Sequence, residues 1–180
     1  MKDITSKIST LRIATASAKV KVSSKKTIEA IKNNRVPKGN VLEMSKAAGL
    51  LGVKNTPLIL PDCHPIPIES TKIDYTINND EITINVTVKT IYKTGVEVEA
   101  MHGASVVALN IYDMLKPIDK GVFISDVKLE NKKGGKSQYS KDIDPNLTAS
   151  VIVCSDSVSA GKKQDFAGKV EKALLDYRKR

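Results

Sequence analysis

Three groups of residues are of types suited to proton transfer or phosphate binding. The first is Pro61-Asp62-Cys63-His64-Pro65. A histidine changes charge near neutral pH and can also hold a phosphate, and flanking prolines fix its backbone. Adjacent side chains in an extended loop point apart, so Cys63 and His64 are not expected to form a thiolate–imidazole pair. The second stretch spans one helix. Glu97 and Glu99 stand at its start, where the helix dipole favours negative charge. Asp113 and Lys116, three residues apart near its end, share a face and can act as a proton donor and acceptor pair. The third comprises Lys38-Gly39 and Lys132-Lys133-Gly134-Gly135-Lys136-Ser137, where ammonium groups and exposed backbone N–H groups suit a phosphate. The latter is not a Walker A motif, since Glu130 stands where its first glycine is required. Each feature also has a plain alternative: a loop histidine, carboxylates that complement a dipole, a surface ion pair and a basic linker.

Spacing along the helix limits how these groups combine. Glu97 and Asp113 are 16 residues apart, about 24 Å along a continuous helix. That is too far for both to act on one small substrate within a single chain. If both ends matter, the site is built from two subunits.

The elements that must position these residues follow from apolar periodicity. Thr15 to Val22 alternates as a half-buried strand. Ser24 can cap a short helix bearing Ile28 and Ile31, and Pro37-Lys38-Gly39 breaks it. Asn40 with Glu43 resembles a capping box for a second helix that carries Val41, Leu42, Met44, Ala48 and Leu51. Asn55 to Pro67, with prolines 57, 61, 65 and 67, reads as a stiff loop. Ile73-Tyr75-Ile77 and Ile82-Ile84-Val86-Val88, separated by Asn79-Asp80, read as a hairpin. Val96 to Leu115 is the main helix, and a last strand after Gly121 is expected to place Phe123, Val127 and Leu129 on one face. The order is that of a ferredoxin-like α+β fold, β-α-β-β-α-β, with a four-stranded antiparallel sheet backed by helices. Residues 1–140 are expected to form one domain and 141–148 a linker. Residues 149–180 form an incomplete segment, with a strand at Ala149-Val151-Val153 and an amphipathic helix over Gln164–Arg180.

Composition narrows the function. With 41% hydrophobic and 27% charged residues, the 180-residue chain is neither a disordered nor a membrane protein. No apolar run approaches the ~20 residues of a membrane span and the start lacks a signal-peptide stretch, so the expectation is a cytoplasmic protein. Cys63 and Cys154 are far apart and expected to remain thiols. The net charge of +9 points to a polyanion. Residues 128–180 hold 12 basic and 7 acidic side chains, more than half of that excess. The RNA-recognition fold shares this strand order, but it stacks bases on aromatics of its central strands. This chain has no Trp and two Phe, which leaves a non-catalytic module binding nucleotides or RNA as the weaker alternative.

Taken in order, the motifs resemble the cyclic pyranopterin monophosphate synthase family of molybdenum cofactor biosynthesis, MoaC. They are Asp3-Ile4, Lys38-Gly39-Asn40-Val41, Leu60-Pro61-Asp62-Cys63-His64-Pro65, Thr94-Gly95-Val96-Glu97-Val98-Glu99-Ala100, Ala104-Ser105-Val106, Ile111-Tyr112-Asp113-Met114 and Gly134-Gly135-Lys136-Ser137. The resemblance implies a lyase that converts 3′,8-cyclo-7,8-dihydro-GTP into cyclic pyranopterin monophosphate and releases diphosphate. It implies hexamers, trimers of dimers, with sites at subunit interfaces. Asp113 and Lys116 fall on the catalytic pair and Lys38 on a second essential lysine. Cys63, His64, Glu97, Val98 and Glu99 fall on substrate-contacting positions, and Lys136 on a basic position near the phosphates. No metal site or organic cofactor is implied; Mg2+ enters only as a companion of the phosphates. Nucleic acid and membrane are not expected partners. Two departures stand out: Asn40 where the family usually has Asp, and Val98 where Met is common. Ser150 to Ser157, Ala160-Gly161 and Asp165-Phe166-Ala167-Gly168 resemble the first strand, loop and helix of the MoaB/MogA family. The later glycine-rich loop and aspartates of that family have no counterpart, so a shortened fusion without adenylyl transfer is expected.

Overall fold

The computed structural model describes residues 1–135, 152 and 154–170. Its contacts divide the chain into two units, Met1–Lys141 and Asp142–Arg180.

The first unit runs β1 (Thr10–Lys21), α1 (Lys25–Lys32), α2 (Val41–Ile59), β2 (Ser70–Ile77), β3 (Glu81–Tyr92), α3 (Glu97–Leu115) and β4 (Phe123–Lys133). The strands form one sheet in the order β2-β3-β1-β4, with every neighbouring pair antiparallel. This is the expected ferredoxin-like α+β arrangement. Ala14, Ala16, Ala18 and Val20 of β1 pair with Val88, Val86, Ile84 and Ile82 of β3, and all eight are buried. The small β1 side chains leave room for α3, whose Ala100, Ala104, Val107, Ala108 and Ile111 complete the core. On the opposite sheet face β1 and β3 carry Thr15, Ser17, Lys19, Thr83, Asn85 and Thr87, with no aromatic on which a base could stack.

Helix α2 crosses α3 at glycines. A Cβ on Gly103 would stand 2.5 Å from Val53 Cγ2, and one on Gly49 would run into Val107. The helix starts are capped as the sequence suggests: Ser24 accepts from the Lys26 N–H at 3.2 Å and Asn40 from the Glu43 N–H at 3.1 Å.

Three boundaries differ from expectation. Strand β1 begins at Thr10, five residues before the clean alternation. Helix α2 continues through Pro57 to Ile59 instead of ending before the proline-rich stretch. Pro57 has no N–H for the Val53 carbonyl. The buried Thr56 hydroxyl replaces that donor, reaching the Gly52 and Val53 carbonyls at 3.1 Å each, and accepts from His102 Nδ1 on α3 at 3.0 Å. Lastly, register shifts at Thr15/Ala16 and Lys19/Val20 break the alternation of β4. Val127 and Leu129 pack on the core, whereas Phe123, beyond the second shift, is 51% exposed.

In the second unit, Asp156–Ser159 form a short helix, α4, capped by Ser155. Residues 166–170 are helical, and Asp165 accepts from the Gly168 N–H at 2.8 Å. Phe166 and Val170 are exposed. Of the strand expected at 149–153, only Ile152 lies within the described residues, and it is exposed and outside any strand. The remainder of the expected helix, 171–180, lies outside them. Among the described residues no helix is long and apolar enough to cross a membrane.

Candidate active site

Helix α3 carries a cluster of ionisable residues at each end. At its C-terminal end the Asp113 carboxylate sits between two lysines. Lys38 Nζ donates to Oδ2 at 2.6 Å and to the Asp113 carbonyl at 3.0 Å, and Lys116 Nζ meets Oδ1 at 2.8 Å. Lys38 comes from the α1–α2 connection, where Gly39 takes φ +100°, so the loop turns sharply before Asn40 starts α2. Hydrogen bonds from Lys116 and Lys38 hold the Asp113 carboxyl down at about 2, and the same contact raises the Lys116 ammonium above its ordinary value. All three side chains are roughly half exposed. Exposed pairs add little stability, so the triad's significance lies in holding two cations beside one anion.

The turn after α3 is fixed by Asp119. This buried carboxylate accepts from the Ser23 N–H and hydroxyl, the Thr27 hydroxyl and the Gly121 N–H. Burial opposes its ionisation, but those bonds hold it below the usual carboxylate range. An open depression of about 410 Å³ lies there, lined by Tyr112, Lys116, Pro117, Asp119, Lys120 and Val122.

At the N-terminal end no side chain caps α3, and Glu97 and Glu99 occupy its first turn. Lys132 Nζ of β4 reaches Glu97 Oε1 at 2.9 Å. Burial pushes the Glu97 carboxyl up, but hydrogen bonds from Lys132 and from its own backbone N–H outweigh it and leave the group below its ordinary value. Gly95 leaves space for this side chain, since a Cβ there would collide with the Glu97 carboxylate. Glu99 is 1% exposed, and among the described residues its Oε2 has no hydrogen-bond partner. Burial raises its pKa. The Cys63 thiol donates to Glu99 Oε1 at 3.4 Å. Burial and the Glu99 charge push the thiol up to about 11, so Cys63 serves as a hydrogen-bond donor and not as a thiolate. His64 Nε2 bonds the Lys2 carbonyl at 2.8 Å. Val98 is 43% exposed on α3.

The structure therefore joins Lys38, Asp113 and Lys116 in one cluster and gathers Cys63, Glu97, Val98 and Glu99, with His64 on the adjoining loop, at the other. Lys136 lies outside the described residues. Lys132, which the sequence places in a basic run suited to phosphate, is ion-paired instead with Glu97. It pairs with Ala14, a core position of β1. The signal was the basic run itself, but the register shift that aims Lys132 toward α3 was not readable from alternation. Among the described residues no group of three or more His, Cys, Asp or Glu is placed to hold a metal ion.

A ferredoxin-like sheet with ionised clusters at both ends of its main helix defines a small α+β domain with a candidate active site. Residues 1–135 match the MoaC family, and the chain belongs to it. It is 47% identical over 139 residues to the cyclic pyranopterin monophosphate synthase of Clostridium perfringens (strain SM101 / Type A), covering 76% of this chain and 87% of that protein. It is 42% identical over 142 residues to the protein of the same name from Aquifex aeolicus (strain VF5), covering 79% and 56%. The molybdenum cofactor biosynthesis bifunctional protein of Chlorobaculum tepidum is 39% identical over 170 residues, 94% of this chain. That likeness runs into the second unit, and the chain spans 53% of that relative's length.

Proposed function

We propose that this protein is the lyase that converts 3′,8-cyclo-7,8-dihydro-GTP to cyclic pyranopterin monophosphate, releasing diphosphate, for molybdenum cofactor biosynthesis. The likeness to named synthases supports the reaction. The observation that carries the mechanism is the Lys38–Asp113–Lys116 triad at one end of α3, a helix length away from Glu97 and Glu99. In this reading one subunit supplies the triad and its neighbour supplies the Cys63, His64, Glu97, Val98 and Glu99 end, within a hexamer built as a trimer of dimers. Helix α2 offers an apolar stripe for such assembly: Met44, Leu51 and Leu58 recur every seven residues and are each more than half exposed.

The reaction opens a cyclised nucleotide, forms a pyran ring and closes a cyclic phosphate, so protons move several times beside a triphosphate. Lys116, held protonated by Asp113, is the acid. Asp113 is a poor base while two ammonium groups hold its pKa near 2. When substrate phosphate draws Lys38 away, the carboxylate loses a hydrogen bond and becomes a better proton acceptor. Lys38, His64 and Lys136 balance the phosphates and the leaving diphosphate. Glu97 accepts from the N–H edge of the guanine-derived ring, and the unpartnered Glu99 Oε2 offers a second acceptor. The likeness to the bifunctional relative supports reading residues 149–180 as a MoaB/MogA-like segment joined to this domain.

The test is to incubate purified protein with the cyclised nucleotide and follow the product as its fluorescent oxidised pterin. Product formation is expected from the wild type. Near wild-type turnover in both Asp113→Asn and Lys116→Ala would overturn the proposed site.

A further inference from the structure

We infer that the N-terminal segment, Lys2–Lys7, is a positioning element for His64 that fixes which ring nitrogen meets the substrate. The inference rests on the reading of His64 as a substrate-facing residue. The Lys2 carbonyl lies 2.8 Å from His64 Nε2. A carbonyl only accepts, so Nε2 carries its hydrogen. Nδ1 makes no hydrogen bond among the described residues and is the nitrogen left to meet a ligand. It is an acceptor while the ring is neutral and a second donor, suited to a phosphate oxygen, once the ring is protonated. The substrate therefore meets one fixed nitrogen.

Four contacts hold the Lys2 carbonyl in place. Ile4 is buried, anchoring the segment by its side chain. The Asp3 carboxylate accepts from the Thr5 N–H and the Thr5 hydroxyl, both at 2.8 Å, an Asx turn that sets the backbone next to Lys2. The Lys7 N–H bonds the Ile4 carbonyl at 3.1 Å and closes the turn. Lys93 Nζ reaches the Thr5 carbonyl at 3.0 Å. Lys93 belongs to the connection between β3 and α3, whose carbonyl, with that of Tyr92, also accepts from the Arg12 guanidinium. The segment thus ties the His64 loop to the connection from which Glu97 and Glu99 start, so both parts of this end keep one relative placement. A polar exposed tail with no such role would need neither a buried isoleucine nor a lysine donating to its backbone.

The test uses Ile4→Ser, the milder Asp3→Ala, and both in a His64→Ala background. The chain has two histidines, so loss of one signal in His64→Ala assigns the ring resonances in a long-range nitrogen–proton spectrum. In the wild type His64 is expected as the Nε2–H form, and the segment variants should show a mixture of tautomers. With the cyclised nucleotide, each variant should lose roughly tenfold or more in kcat/KM, the scale of a misplaced catalytic contact. In the His64→Ala background neither should cause further loss. Equal losses with and without His64, or an unchanged His64 tautomer in both variants, would overturn the inference. If His64→Ala alone leaves kcat/KM unchanged, the substrate-facing reading of His64 fails instead, while the tautomer spectrum still judges the segment.

Discussion

The two ends of α3 solve opposite electrostatic problems. At the C-terminal end a half-exposed carboxylate is over-supplied with cations, so the Asp113 carboxyl is held down at about 2 and the Lys116 ammonium above its ordinary value. At the N-terminal end two carboxylates share one lysine: Glu97 takes Lys132, and Glu99 is buried with a thiol as its donor. The first end carries a positive excess suited to phosphate. At the second, the two glutamates carry a negative excess, with an acceptor unpartnered among the described residues that suits N–H groups, beside the His64 proposed to meet phosphate. A helix 19 residues long keeps the two apart in one chain, and the proposed site between subunits rests on that separation.

The largest effect expected is at the triad. Asp113→Asn should lower kcat at least about 100-fold with little change in melting temperature, because exposed pairs add little stability; kinetics and a thermal melt on the same sample check both halves. Mixing Asp113→Asn with Glu97→Gln comes next. If each site takes one end from each of two subunits, random mixing after dissociation restores about a quarter of wild-type activity. Failure to restore any, with mixed oligomers confirmed by native mass spectrometry, would place both ends in one subunit's site and break the comparison.

Gly103→Ala disturbs the helix that joins the ends without touching either. Its Cβ would stand 2.5 Å from Val53 Cγ2, and overpacking of this kind costs about 1–3 kcal/mol, readable by urea titration. The smallest effects are pH-dependent and of opposite sign. Asp113 is lowered in the folded state, so its contribution is present above the unfolded carboxylate range and lost as pH falls toward 2. The melting difference between wild type and Asp113→Asn should therefore shrink over that fall. Glu99 is raised, so its ionisation penalises the fold as pH rises from 4.5 through its folded value. Glu99→Gln should gain stability relative to wild type over that rise, and an unchanged difference would mean Glu99 is compensated by a partner.

The C-terminal end was largely legible in the sequence because its central pair is local. Asp113 and Lys116 lie on one helix at a spacing that brings side chains together. Lys38 was readable as a phosphate-type lysine beside a glycine, but nothing local joins it to Asp113, 75 positions away. The N-terminal end was less legible throughout. Adjacency in a proline-flanked loop gave no partner for Cys63, whose thiol donates to Glu99 from another element. Lys132 and Lys136 drew attention together as a basic run suited to phosphate, and nothing in that run pointed Lys132 to Glu97. Two of the three boundaries that differ have identifiable causes: the Thr56 hydroxyl accompanies α2 past Pro57, and a register shift against β1 turns Phe123 outward.

Local periodicity, helix caps and turn residues determined from sequence alone the order of elements, the antiparallel α+β class and the 16-residue separation of the two acidic positions. Each depends on interactions between neighbours in the chain. Only the tertiary structure decided that Lys38 joins Asp113 and Lys132 joins Glu97, that Glu99 is buried with an oxygen unpartnered among the described residues, and that the Lys2 carbonyl meets His64. Those properties depend on desolvation and on contacts between distant segments. Both are set by strand register and helix crossing, which no single segment of the sequence specifies.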